Sequence, residues 1–206
     1  VRIDKPKLVG DVVENHQLHA QGSPTVVFAA NIAHSIHLRD EFVRHGITAA
    51  HIDQSTPADE RDQILSDLDD GVISVVCNCD VLSLGWDQPK VQCVVLASPT
   101  RSLIKYRQRA GRALRWCEGK ESCLLLDHAG GVITHGFPDE DMEWPLEKSR
   151  SIDQDHQQQL QSPNGRKPLV CSNCGCTYSG RSDCPNCGDR RQRAGRKIAI
   201  EKGYLR

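Results

Sequence analysis

A chain of 206 residues can hold one sizeable core and a small satellite. It has no apolar run able to span a bilayer and no secretory leader pattern, so it reads as soluble and cytoplasmic, without a membrane partner. Its net charge of −1 hides an asymmetry: residues 166–206 carry ten Lys/Arg against three Asp/Glu, and residues 1–165 carry the other sixteen against twenty-four, so a basic tail with an anionic partner sits on an acidic body.

Val1 to Gln21 starts without Met, as a fragment or processed product would, and reads either as a linker or as a leading helix around Leu8 to Leu18. Gly22-Ser23-Pro24 breaks it. Thr25 to Ala30 is a β-branched apolar run, hence a buried strand. Asn31 can cap the next helix; Ile32, Ile36, Phe42 and Val43 give it a predicted apolar stripe, and Gly46 closes it. Ile47 to Ile52 is a second strand. Thr56-Pro57-Ala58-Asp59 offers a capping hydroxyl, a proline at the first helical position and an acidic first turn. In that helix Ile64, Leu65 and Leu68 face the core, and Gly71 ends it. Val72 to Cys77, Val91 to Ala97 and Ser122 to Asp127 are three further strands, with a polar loop from Asn78 to Pro89. Alternating strands and helices predict an α/β fold, a parallel sheet with helices on both faces. Ligands of such sheets bind at the carboxyl ends of the strands, where the loop after Cys77 and the turn Ser98 to Arg101 would lie.

Six cations and no carboxylate lie between Arg101 and Arg115. If Tyr106 to Arg115 is helical, Gln108, Arg112 and Arg115 share one face, and Gly111 lets another surface approach the backbone. Forked, permanently charged groups on one rigid face suit a transferring phosphoryl group; a solvated basic face or a plain nucleic-acid contact is the alternative.

Asp127 to Pro145 is acidic and loop-rich, and His128 and His135 flank Gly130-Gly131 there as packing or surface residues. The expected organisation is a domain over 1–145, a glutamine-rich linker over 146–168 and a module over 169–206. In that module Cys171-x-x-Cys174-Gly175 and Cys184-x-x-Cys187-Gly188 have the spacing of a closed four-thiolate Zn²⁺ site. Disulfides would need an oxidising compartment that nothing else indicates. Cys176 is a spare thiol that could compete with Cys174. Cys77, Cys93 and Cys123 read as core residues, and Cys117 has no assigned partner. Arg190, Arg191, Arg193, Arg196 and Lys197 form a basic cluster that fits phosphates or a solvated face.

Four segments together resemble superfamily 2 helicases. Val26-Val27-Phe28-Ala29 resembles motif IV. His51-Ile52-Asp53 with Thr56 to Arg61 resembles the segment where a strand delivers a turn and a Glu-Arg-bearing helix. Cys79-Asp80-Val81-Leu82-Ser83-Leu84-Gly85-Trp86-Asp87-Gln88-Pro89 looks like motif V, and Gln108-Arg109-Ala110-Gly111-Arg112-Ala113-Leu114-Arg115 like motif VI, in the family's order. The resemblance implies the second of two RecA-like domains, with a zinc-ribbon appendage. It implies that Arg112 and Arg115 are arginine fingers reaching ATP–Mg²⁺ held by an absent amino-terminal RecA-like domain, and that Gln108 couples that site to the helix. Gly85, Asp87 and Arg109 would lie near the nucleotide, and Asp80 to Ser83 near the nucleic-acid backbone. Cys79 departs from the threonine of many members, which bears on tuning of that contact.

No Gly-x-x-x-x-Gly-Lys-Ser/Thr phosphate loop occurs in the sequence. Asp40-Glu41 and Asp139-Glu140-Asp141 mimic an acidic Walker B box but follow no apolar strand. The expectation is therefore the carboxyl-terminal half of an ATP-dependent DNA helicase or translocase, inactive alone, with DNA as partner and RNA as the alternative. The Leu-Ser-Leu-Gly-Trp-Asp and Gly-Arg-Ala-Leu-Arg segments, and Cys-Leu-Leu-Leu-Asp-His-Ala-Gly-Gly after them, look like the RadD-type DNA-repair helicases. The rival expectation is a non-catalytic nucleic-acid-binding or adaptor module that kept the fold.

Overall fold

The computed structural model describes residues 6–82, 86–141 and 167–190, in two compact units, residues 1–165 and 166–206. The break falls inside the segment expected to be a linker, whose residues 146–166 lie outside the described ones.

Five strands make the first unit's sheet: β1 (Thr25–Phe28), β2 (Ala49–Ile52), β3 (Val75–Asn78), β4 (Cys93–Leu96) and β5 (Leu124–Asp127). They run parallel in the order β2-β3-β1-β4-β5. The path turns toward β2 after β1 and toward β5 after β4, so the carboxyl ends of β1 and β4 flank a topological switch point. Side chains alternate across the strands. Val27, Cys77 and Val95 join one core with Val12 and Val13 of α1 (Pro6–His19) and Leu38 and Phe42 of α2 (Ile32–Arg44). Val26, Phe28, Val76 and Val94 join the other with Leu68 of α3 (Ala58–Asp69), Leu103 and Tyr106 of α4 (Leu103–Ala110) and Val132 of α5 (Gly131–His135). Helices thus cover both faces, and α1 answers the open choice between linker and helix. No helix among the described residues is long and apolar enough to cross a membrane.

Asn31 caps α2 as expected, its side chain accepting from the His34 N–H at 2.8 Å. The expected stripe of that helix is overturned. Ile32, Ile36 and Val43 are exposed, and the buried face is His34, Ser35, Leu38, Glu41 and Phe42. The three apolar residues lie about 100° round the axis from Phe42. The sheet-facing side tolerates polar groups because they are hydrogen-bonded. Ser35 Oγ meets His51 Nδ1 at 2.7 Å, His51 Nε2 lies 3.2 Å from the Asp53 carboxylate, and Ser55 donates to Asp53 through its N–H (2.7 Å) and hydroxyl (2.6 Å). The Ser55 hydroxyl and then its N–H hold the Asp53 pKa down at about 2. Thr56 does not cap α3: its hydroxyl accepts from the Asp53 N–H at 2.9 Å, and Pro57 takes the cap position with no side-chain bond. Cys77 and Cys93 are buried, but Cys123 is exposed, because β5 starts one residue later.

Tyr106 ties α5 to α4. Its ring stacks on His135, its hydroxyl donates to the Gly136 carbonyl at 2.9 Å, and a Cβ on Gly131 would stand 2.7 Å from the ring. The α5 turn lies in a stretch read from sequence as loop; Asp127 organises it by accepting from the N–H groups of Ala129, Gly131 and Val132.

Asn78, wholly buried at the end of β3, donates to the Val27 carbonyl at 2.9 Å and so pins β3 to β1 beside the motif V turn. Asn78→Ala leaves that carbonyl one donor short and is expected to cost about 1–3 kcal/mol in urea unfolding of the first unit. An unchanged midpoint would show that the bond contributes nothing.

Candidate functional site

Two clusters bring motifs V and VI together. The first lies at the switch point. Arg109, only 3 % exposed, donates to Ser98 Oγ (2.9 Å) and to Asp80 (3.0 Å), with its guanidinium 5.4 Å from the Phe28 ring centroid. Lys105 adds a second cation 2.8 Å from the same Asp80 oxygen. Burial opposes ionisation of Asp80, but the Lys105 and Arg109 hydrogen bonds outweigh it and lower its pKa. Asp80 itself has φ 59°, the left-handed conformation that aspartate tolerates better than most residues. Arg109, expected near the nucleotide, is thus a buried strut between three strand ends.

The second cluster forms where α4 stops. The expected helix to Arg115 is overturned: α4 ends at Ala110, and Arg112 and Arg115 occupy the turn and coil beyond it. Arg112 N–H bonds the Arg109 carbonyl at 3.2 Å and Ala113 N–H the Ala110 carbonyl at 3.1 Å, an i→i−3 pattern that tightens the chain. Gly111 is needed for this turn. A Cβ there would lie 2.8 Å from the Arg107 carbonyl, so the close approach comes from the chain itself and not from another surface. Gln108 is exposed on α4 and does not share a helix face with the two arginines.

The turn nevertheless brings Arg112 and Arg115 to one point. Both donate through Nη1 to the Trp86 carbonyl, Arg115 at 2.8 Å; Arg115 also pairs with Asp87, and Arg112 lies 5.9 Å from the Trp86 ring centroid. Burial, and after it the neighbouring Arg115 charge, lowers the Arg112 pKa, although a guanidinium stays protonated. Two adjacent cations thus meet at one carbonyl oxygen, with the exposed Asp87 carboxylate beside Arg115. Gly85 and Ser83 lie outside the described residues.

Sequence reasoning missed Lys120. Its ammonium donates to four main-chain carbonyls: Pro89 (3.1 Å), Val91 (2.6 Å), Ala113 (2.7 Å) and Arg115 (2.8 Å). No local sequence signal pointed to it, because its acceptors are main-chain oxygens of two segments, one beyond α4 and one before β4.

The second unit holds the cysteine cluster. The Sγ atoms of Cys171, Cys174, Cys184 and Cys187 all lie within 4.8 Å of one another, with 171–187 and 174–184 each at 3.6 Å. A tetrahedral Zn–S site has edges of about 3.8 Å, so the donor set and spacing fit zinc. Each knuckle closes alike: Gly175 N–H meets the Cys171 carbonyl at 3.0 Å, Gly188 N–H meets that of Cys184 at 2.9 Å, and both glycines have φ above 70°. A two-stranded ladder, β6 (Leu169–Val170) with β7 (Thr177–Tyr178), flanks the first knuckle. Cys176 stands outside the cluster; its carbonyl accepts from the Cys171 N–H, the position Asp189 fills for Cys184. Among the expected tail contacts, Arg190 is exposed and 3.7 Å from Asp183, while Arg191, Arg193, Arg196 and Lys197 lie outside the described residues.

A five-stranded parallel sheet in this order, with helices on both faces and a motif VI turn closed onto motif V, defines the carboxyl-terminal RecA-like domain of helicases. Residues 4–117, more than half the chain, match the helicase conserved C-terminal domain, and the chain belongs to that family. It is 34% identical over 137 residues to a "51.5 kDa protein" of a Lactococcus phage, covering 66% of this chain and 30% of that one. It is 29% identical over 136 residues to the putative ATP-dependent helicase IRC3 of Saccharomyces cerevisiae, covering 62% and 20%. The chain thus spans less than a third of these relatives' length. The solved carboxyl-terminal domain of the DEAD-box protein Dbp5 shares the fold, at TM-score 0.52 and 22% identity over 61% of this chain and 74% of that one.

Arg109→Met is expected to destabilise the first unit by about 1.5–3 kcal/mol, the range for hydrogen bonds to charged groups. Lys105→Met, at a half-exposed ammonium, should cost under about 1 kcal/mol. Equal midpoint shifts in urea would show that burial does not separate the two cations.

Proposed function

We propose that this chain is the carboxyl-terminal half of an ATP-dependent DNA helicase or translocase, in which Arg112 and Arg115 are arginine fingers for ATP–Mg²⁺ held by an amino-terminal RecA-like domain. The observation that carries the reading is the convergence of both guanidinium groups on the Trp86 carbonyl, with Asp87 as their nearby carboxylate. Charge in phosphoryl transfer develops on oxygens, so catalysis needs fixed cations and little else from the protein; such fingers contribute about 10³–10⁵ in rate. Fingers on one domain and phosphate cradle on another make turnover depend on closure, and closure can move a bound strand. Asp87 and Gly85 serve the nucleotide side, Gln108 couples it to α4, and Asp80 and Ser83 border the nucleic-acid path. The likeness of motifs V and VI to the RadD-type group supports a role in DNA repair or recombination, with DNA ahead of RNA as partner. The absence of a phosphate loop from the sequence supports inactivity of this chain alone.

In the complete protein, Arg112→Ala and Arg115→Ala should each lower DNA-stimulated ATP hydrolysis by about 10³-fold while ATP binding is largely kept. Near-normal turnover in both would overturn the finger assignment. Salt-sensitive DNA binding with no turnover in the complete wild-type protein would instead favour the adaptor reading.

In the second unit, Cys171, Cys174, Cys184 and Cys187 would hold one Zn²⁺ in a closed, structural site, and the basic tail with Arg190, Arg191, Arg193 and Lys197 would contact phosphates. Zinc supplies folding energy to a segment whose buried core is little more than Cys171, Tyr178 and Cys184. Metal analysis should find one zinc per chain. Chelation, or Cys171→Ser, should open residues 167–190 to protease and leave the melting of the five-stranded sheet unchanged. Loss of both together would mean that the two units fold as one.

A further inference from the structure

Lys120 lies outside motifs V and VI, yet its ammonium has a carbonyl from each side of their junction. Pro89 and Val91 come from the segment leading out of motif V into β4, and Ala113 and Arg115 from the motif VI turn. Three N–H donors are shared among four acceptors within 3.1 Å, and every one of those acceptors belongs to the main chain. Main-chain carbonyls cannot rotate away as carboxylate side chains can, so the four oxygens fix one position of the turn relative to the strand. Arg115 is held twice: its carbonyl by Lys120 and its guanidinium by Trp86 and Asp87. Ala113 packs into the core, but Leu114 and Trp116, the neighbours of Arg115, are exposed, so packing holds the start of this stretch and not Arg115. Burial lowers the Lys120 pKa, as expected for an ammonium drawn partly out of water.

We propose that Lys120 is a positioning residue, a cationic clamp that sets the motif VI turn against motif V and thereby aims Arg112 and Arg115 at the transferred phosphoryl group. The kinetic part of this proposal rests on the finger reading above; the structural part does not. A misplacement of about 1 Å at a reacting centre can cost on the order of 10²-fold in rate, so a clamp that touches no substrate can govern turnover.

Two measurements test it on Lys120→Met and on Lys120→Gln, the milder change that keeps two donors. The first is amide exchange in this chain. Arg112 and Ala113, whose N–H groups close the turn, should exchange about tenfold faster in the methionine variant. Thr25 and Ala29, whose N–H groups bond Ser74 and Asn78 at 2.9 Å each, should not change. Glutamine should fall between. Faster exchange at all four amides would make Lys120 a general stabiliser, and no change at Arg112 and Ala113 would remove the clamp; either overturns the proposal. The second is kinetics in the complete protein. Lys120→Met should lower kcat by about 10–100-fold with the KM for ATP little changed, and should add almost nothing to Arg115→Ala in the double variant. Wild-type kcat in Lys120→Met beside an inactive Arg115→Ala overturns the proposal. Normal kcat in Arg112→Ala and Arg115→Ala overturns the finger reading instead, and the exchange comparison alone then decides the clamp.

Discussion

Main-chain carbonyl oxygens do the work of counter-ions at the turn beyond α4. Arg112 and Arg115 share the Trp86 oxygen, and Lys120 takes four more from both flanks. A carbonyl offers a partial charge in a fixed direction, whereas a carboxylate would cancel a full one. Three cations are thereby ordered by fixed main-chain oxygens, with Asp87 as the carboxylate paired to Arg115. The switch-point cluster uses the other solution: Lys105 and Arg109 both reach one oxygen of a carboxylate, Asp80. One chain thus carries a network built on a carboxylate and one built largely on main-chain oxygens, joined by a single short helix.

That distinction was not legible in the sequence, where Arg109, Arg112 and Arg115 stand in one basic run. The run read as one helix because nothing local forbade it. Gly111 signalled freedom of the backbone but not the i→i−3 tightening that ends α4 after Ala110. The sheet was easier. β-branched runs such as Thr25-Val26-Val27-Phe28 are short, apolar and bounded by turn residues, and their pattern survives any tertiary context. Helix faces were harder where burial and polarity part company. In α2 the apolar residues Ile32, Ile36 and Val43 form a ridge of their own, while Ser35 and Glu41 go inward because partners on β2 and within α2 receive them. A period-3.6 reading assumes that buried means apolar, and a satisfied hydrogen-bond network breaks that assumption.

Thr56 failed as a cap for the same reason Asp53 is so acidic. The strand-end turn at 53–56 draws local hydroxyls and N–H groups into itself, leaving α3 to start on Pro57 unaided. A proline cap offers the first-turn N–H groups no side-chain acceptor, and the acidic Asp59 and Glu60 of that turn are what favour the helix start. The cysteine module was legible for the opposite reason. Its four thiols come from two tight turns whose geometry depends on four or five residues each, so spacing alone carries the information.

The two knuckles of that module repeat at a thirteen-residue offset, Cys171 to Cys184 and Cys174 to Cys187, with the same closing bonds at Gly175 and Gly188 and at Cys176 and Asp189. Each turn is thus a self-contained two-sulfur claw. The residues joining them, Ser179 to Ser182, precede the Asp183–Arg190 pairing that flanks the second claw and include a glycine at φ 68° that already bends the path. The length of that bridge is therefore free to drift, as a hinge between two identical jaws can be lengthened without changing their grip.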